Sequence, residues 1–169
     1  MDNYAKTIHH MYTFTHKSVD NLHIKPLYCT IDYMKKYNTA IVDIDDTLVS
    51  GFWHDEAMTP NLAVVDFVKN NIENVIIVTG RQDTMRDVTV TLLESLGIKY
   101  DALLMNPEHY EKANDFKDGI ANNLQGKIDL AIDDNPDVRA IYESYGIKSI
   151  DPVDLTNDIL WSSQVSFGE

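Results

Sequence analysis

Apolar residues along the chain gather into five short runs, separated by longer stretches with a helical rhythm. The runs are TAIVDI (39–44), NVIIVT (74–79), DALLM (101–105), DLAID (129–133) and IKSI (147–150). Most are continuously apolar rather than alternating, which is the pattern of strands covered on both faces, as in a parallel sheet. Between them, PNLAVVDFVKNN predicts a helix with Pro60 in its first turn behind Thr59 as cap. DTMRDVTVTLLESLG predicts a second, capped by Asp83 and stopped at Gly97. NDFKDGIANNL and PDVRAIYESYG predict two more, with Gly126 and Gly146 past their ends. A last amphipathic piece, about 152–161, is expected on the sheet edge. Strand alternating with helix gives βαβ units, and right-handed crossovers then give an α/β fold with a doubly wound parallel sheet.

Residues 1–38 share none of this periodicity, yet hold four of the six histidines: His9, His10, His16 and His23. They read as an N-terminal arm that wraps the domain or joins a partner chain, and residues 39–169 as the domain itself. Charge divides at the same place. The arm carries +2 (five lysines, three aspartates) and the rest −15 (nine Lys/Arg, 24 Asp/Glu). So acidic a body does not grip nucleic acid through a broad basic face. It can still take one phosphate group through a metal ion and a few local cations. The lone cysteine, Cys29, forms no internal disulfide, which fits a reducing cytoplasmic location. No apolar run approaches the roughly 20 residues that span a bilayer, so no membrane partner is expected.

In open α/β sheets ligands bind at the carboxyl ends of the strands. The first predicted strand ends in Asp43-Ile44-Asp45-Asp46-Thr47, the second in Thr79-Gly80-Arg81, and the fourth in Asp133-Asp134. Lys117 opens the helix before the fourth strand. Polar groups from distant parts of the sequence thus converge on one edge. The spacing of two puts Asp43 and Asp45 on the same side of the chain.

This set, DIDDT, the Thr of IIVTGR, the Lys of DFKDG and AIDDNPD, resembles the haloacid dehalogenase (HAD) superfamily of aspartate-nucleophile phosphatases. The resemblance covers about 39–150. VIIVTGRQDTMRDVTVTLLESLGIKYDALLMNP followed by LAIDDNPDVRAIYESYGI is similar, more closely, to the 3′-phosphatase domain of phage-type polynucleotide kinases. The chain departs from that pattern at Leu92, where tryptophan is expected, at Asn106, where arginine is usual, and at Asp46, in place of glycine. A looser likeness, through DIDDTLVSGFW, is to acid phosphatases.

The resemblance implies a HAD-like Rossmannoid fold and an Mg²⁺-dependent phosphomonoester hydrolase. Asp43 would be the nucleophile, forming an aspartyl-phosphate, and Asp45 the general acid and then base. Crowded carboxylates hold one proton more tightly, which suits Asp45. Mg²⁺ would be held by Asp43 and Asp133 with the Asp45 backbone carbonyl, and Asp134 would orient Asp133 or the lysine. Thr79 would donate to a phosphoryl oxygen. Lys117 would pair with the phosphoryl group and Asp43, with Lys112 as a rival. Asp137 either reaches metal-bound waters or is a first-turn helix acid. Arg81 either contacts substrate or is a surface charge at a helix start. Thr47 is expected to hold the loop through its hydroxyl.

About 26 residues separate Thr47 from the second strand, room for a short flap and one helix. A capless or minimally capped enzyme is therefore expected, on whose flap Phe52, Trp53 and His54 either stack on a base or anchor in the core. The resemblance implies a nucleotide-type substrate: the 3′-phosphate end of a polynucleotide, or a mononucleotide. The alternatives are another small phosphorylated metabolite, a receiver-like module, or an inactive binding protein of the same fold. A homo-oligomer is a possible source of a roof over an open site.

Overall fold

The computed structural model describes residues 36–51, 58–107 and 112–156. Most of the arm (1–35), Phe52, Trp53 and His54 on the flap, and the end of the last predicted helix (157–161) lie outside the described residues. Five strands form one parallel sheet. They are β1 (Tyr37–Val42), β4 (Ile72–Gln82), β5 (Ala102–Asn106), β6 (Leu130–Ile132) and β7 (Ser149–Ile150), in the order β5-β4-β1-β6-β7. The helices are α1 (Leu62–Asn71), α2 (Arg86–Ser95), α3 (Ala113–Leu124) and α4 (Pro136–Ser144). A two-residue pair, β2 (Val49–Ser50) with β3 (Thr59–Pro60), forms the antiparallel base of the flap.

The apolar runs are continuous because the sheet is covered twice. Ala40 and Val42 of β1 pack in a core with Val64, Val65, Phe67 and Val68 of α1 and Leu93 of α2. Ile41, between them in sequence, points the other way, into a core with Ala121 of α3 and Val138 and Tyr142 of α4. Successive strand residues face opposite sides, so both faces must be apolar when both carry helices. Leu155, in the short helical stretch 152–156, belongs to the α1 face.

Two predicted caps are displaced. Thr59 and Pro60 pair with the flap strand instead of starting α1, and Asn61 precedes that helix without a side-chain cap bond. Asp83 begins a single 3₁₀ turn (Asp83–Met85) ahead of α2 and pairs with the Arg86 guanidinium. The glycine stops are as expected, with Gly97, Gly126 and Gly146 all at positive φ.

The chain runs outward from β1 through β4 to β5, then crosses back to β6 on the other side of β1. That reversal places a crevice between β1 and β6 at the carboxyl edge. Val42 is level with Ile132 and with Ile77, so Asp43 and Asp133 leave the sheet side by side, and Thr79 lies two residues past Ile77. Neither β1 to α1 nor β4 to β5 contains an inserted domain. The stretches left out of those connections and of the next number six (52–57) and four (108–111) residues, too few to build one.

Candidate active site

The loop after β1 turns sharply. The Ile44 carbonyl accepts from the backbone N–H groups of Thr47, Leu48 and Val49 at 3.3, 2.9 and 3.1 Å. Asp46 at the bend has φ +54°, the left-handed region that glycine enters without strain. The turn points Asp43 inward, leaves Asp45 half-buried and puts Asp46 in solvent.

Asp43, Lys117 and Asp133 come together from three elements, all buried. Lys117 Nζ donates to Asp43 Oδ1 at 2.9 Å and to Asp133 Oδ2 at 2.8 Å. Oxygens of Asp43, Asp133 and Asp134 lie within 4.8 Å of one another. Asp134, expected only to orient its neighbours, thus brings its own carboxylate to the group, while the Asp45 side chain is engaged elsewhere. Two acids share one ammonium, and this sets the titration. Burial, reinforced by Asp133 and opposed by Lys117, pushes the Asp43 carboxyl up to about 7. Burial works against the charged Lys117, but Asp43 and Asp133 outweigh it and hold the ammonium well above its ordinary range. Asp134 is also raised, by burial and then by Asp133 and Asp46.

Arg81 is neither a surface charge nor a helix-start charge. Its side chain is 3% exposed and grips Asp45 by both oxygens, Nη2 to Oδ1 at 2.6 Å and Nε to Oδ2 at 2.9 Å. A register shift between Thr79 and Gln82 turns the strand just where Arg81 leaves it. Its backbone N–H donates to Thr79 Oγ1 at 3.2 Å, and its head also meets Thr89 of α2 and the Met58 sulfur. Thr79 is fully buried.

Thr47 does more than close its own loop. Its Oγ1 accepts from the Asp134 backbone N–H at 3.2 Å, tying the loop after β1 to the loop after β6. Asn135 N–H donates to Asp133 Oδ1 at 3.1 Å, and the Asn135 side chain caps α4 by accepting from Asp137 N–H at 3.0 Å. Asp137 is exposed in the first helical turn and outside the acid group. Lys112 is exposed and pairs only loosely with Asp115 at 3.4 Å. It lines a cleft with Asn106, Pro107 and Phe116, apart from Lys117. Leu92 packs against the core rather than the site.

The residues fit a divalent cation. Three acids, when ionised, against one lysine leave an excess charge of −2, and Mg²⁺ takes one or two carboxylates and fills most of its remaining positions with water.

Arg139 of α4 was invisible to sequence reasoning. Nη1 donates to the backbone carbonyls of Asp133 and Asp134 at 2.8 and 2.6 Å, and Nη2 pairs with Asp151 at 2.9 Å. Carbonyl partners leave no trace in a side-chain pattern.

Fold and site together define an α/β protein with a mostly parallel sheet and an acid–lysine group at its carboxyl edge. Solved structures of a Pnkp1/Rnl/Hen1 RNA repair complex contain similar chains. One gives a TM-score of 0.59 at 21% identity, covering 87% of this chain and 52% of that one. Another gives 0.59 at 23%, covering 82% and 54%. The chain spans about half the length of the chains it resembles, and identity this low speaks for the fold. Comparison with family models and with curated proteins gives no match. Among the described residues no helix is long and apolar enough to cross a membrane.

Proposed function

We propose that this chain is a HAD-type phosphomonoester hydrolase that depends on Mg²⁺ and acts on a nucleotide substrate, foremost the 3′-phosphate end of a polynucleotide. The observation that carries the reading is the single lysine held 2.9 and 2.8 Å from two buried acids that end neighbouring strands. Likeness to chains of an RNA repair complex supports the substrate class. The acidic body limits contact with the polynucleotide to its end, and a mononucleotide remains the competing substrate.

The chemistry follows from the placement. Mg²⁺, held by Asp43 and Asp133 with the Asp45 backbone carbonyl and with Asp134 close by, would supply charge neutralisation at the phosphoryl group. Lys117 would add a positive charge there, and the Thr79 hydroxyl would donate to a phosphoryl oxygen. An Asp43 oxygen attacks phosphorus in line, the P–O ester bond breaks, and the leaving oxygen takes a proton from Asp45. Water then attacks the aspartyl-phosphate and gives its proton to Asp45, releasing inorganic phosphate and restoring Asp43. A carboxylate has about four lone-pair sites, of which Arg81 uses two, so Asp45 is held in place with acceptor sites still open.

A receiver module would carry its phosphorylated aspartate after the third strand of the sheet. The residue ending β5 is Asn106, which argues against it.

The test is phosphate release from 3′-phosphorylated oligonucleotides, 5′-phosphorylated oligonucleotides and mononucleotides. The expected result is preference for the 3′-end, abolished by EDTA and restored by Mg²⁺. Inactivity on every 3′-end would sink the repair reading. Asp43→Asn is expected to lower kcat by at least about 10³ with an unchanged circular dichroism spectrum. Near-wild-type turnover would refute the nucleophile.

A further inference from the structure

The loop that carries two of the three grouped acids is only three residues long, Asp133-Asp134-Asn135, between β6 and α4. Short acidic loops spread under their own repulsion unless their backbone is held. Here it is held from two sides. Thr47 accepts from the Asp134 N–H, and Arg139 donates to the carbonyls of Asp133 and Asp134. The Arg139 guanidinium is about four-fifths buried and is anchored on its far side by Asp151, which follows β7. Its three bonds therefore fix the loop relative to the next strand connection, and its charge lies against two carbonyls of the segment that carries two of the three grouped acids.

We propose that Arg139, seated by Asp151, is a positioning residue for the cation site. It sets the separation of the Asp133 and Asp134 carboxylates by clamping the backbone that bears them, without touching substrate or cation. The inference rests on the metal-dependent reading above. Groups that orient ligating carboxylates typically account for 10–100-fold in metal affinity. The guanidinium geometry matters as much as the charge, because a lysine ammonium offers one nitrogen where three acceptors on two sides are served.

The test is Mg²⁺ titration followed by calorimetry and by thermal shift, for the wild-type chain, Arg139→Lys and Asp151→Asn. Arg139→Lys is expected to weaken Mg²⁺ binding at least tenfold and to raise by the same factor the Mg²⁺ concentration for half-maximal phosphatase activity. At saturating Mg²⁺ most of the activity should return. Asp151→Asn frees one end of the clamp and is expected to shift the same quantities two- to fivefold, so the proposal stays testable if Arg139→Lys folds poorly. A purely structural role would lower the melting temperature of both variants and leave Mg²⁺ affinity unchanged, which would overturn the proposal. Failure of the wild-type chain itself to bind Mg²⁺ would overturn the proposal together with the metal-dependent reading, and is distinguished by appearing before any substitution.

Discussion

Asp46 occupies a backbone position with φ +54° at the bend that aims Asp43. A Cβ in the left-handed region costs roughly 1–2 kcal/mol, less for aspartate, which can bond locally. Glycine removes that strain but gives up about 0.5–1 kcal/mol of chain entropy. The balance favours Asp46→Gly by about 0.5 kcal/mol, helped by loss of a charge that acts on Asp134. Asp46→Ala keeps the Cβ and loses the carboxylate, so it should destabilise by about 1 kcal/mol. Urea melts should rank Gly above Asp above Ala. Because Asp46 is exposed and outside the acid group, Asp46→Gly should keep kcat within about twofold of wild type. The same residue-by-residue separation applies to its neighbours. Asp43 meets the lysine, Asp45 meets Arg81, and the three acids of DIDDT have three different surroundings.

Among the elements, the contact that places Lys117 is the approach of α3 to the end of β4. A Cβ built on Gly80 would lie 3.0 Å from the Ala113 Cβ, at the first residue of α3. Ala113 has no longer side chain to move aside, so Gly80→Ala requires the start of α3 or the end of β4 to give by a few tenths of an ångström. Overpacking of this kind costs about 1–3 kcal/mol, and Lys117 sits one turn further along. Gly80→Ala should therefore lower kcat on the order of tenfold, beyond its effect on melting temperature, because small displacements of a charge-stabilising group are costly. An unchanged kcat would show that α3 tolerates the shift. Much of this was legible in the sequence. The five sheet strands, the four helices and their glycine stops follow from apolar runs and punctuation, and the strand ends already singled out Asp43, Thr79 and Asp133. Other features left no pattern to read. The flap strands are two residues each, too short for periodicity, so Thr59–Pro60 looked like a helix start. The Arg81–Asp45 pair joins residues 36 apart. Arg139 acts on carbonyls, which every residue has. Two aspartates that open predicted strands, Asp101 and Asp129, turned out to serve the opposite edge. They accept from the backbone N–H groups of Val75 and of Asn38 and Thr39, satisfying strand ends that the ladder leaves open.

For the molecule as a whole, the acid group makes stability depend on pH and, on the metal-dependent reading proposed above, on cation as well. Burial holds the Asp43 carboxyl up to about 7, whereas its ordinary value, and that of the unfolded chain, is 3.8. Between those limits the folded protein binds the extra proton, so the contribution of Asp43 to stability falls as pH rises from about 4 to about 7 and is level above that. Lys117 works in the other direction and elsewhere. Its raised value keeps its contribution intact below about 10.5, and that contribution is lost only in more alkaline solution. Below and near neutrality Asp43, with the raised Asp134 acting in the same direction, sets the slope of this group. The repulsion within a chain of net charge −13 also grows with pH, so the wild-type curve by itself is ambiguous. The difference between wild type and Asp43→Asn cancels the titrating groups outside this cluster, which are common to both, and reads Asp43 together with the partners it is coupled to. In metal-free protein Asp43→Asn should be the more stable form at pH 7.5, by a few kcal/mol at most, or roughly 3–10 °C in melting temperature. The gap should shrink steadily towards pH 5. Saturating Mg²⁺ should reverse it, since a dication stabilises the ionised Asp43 and not the amide. Differential scanning calorimetry over pH 5–8, with EDTA and with Mg²⁺, measures all of these quantities in one series. A gap that ignores both pH and Mg²⁺ would mean that the −2 excess of the acid group is not what a cation is there to balance.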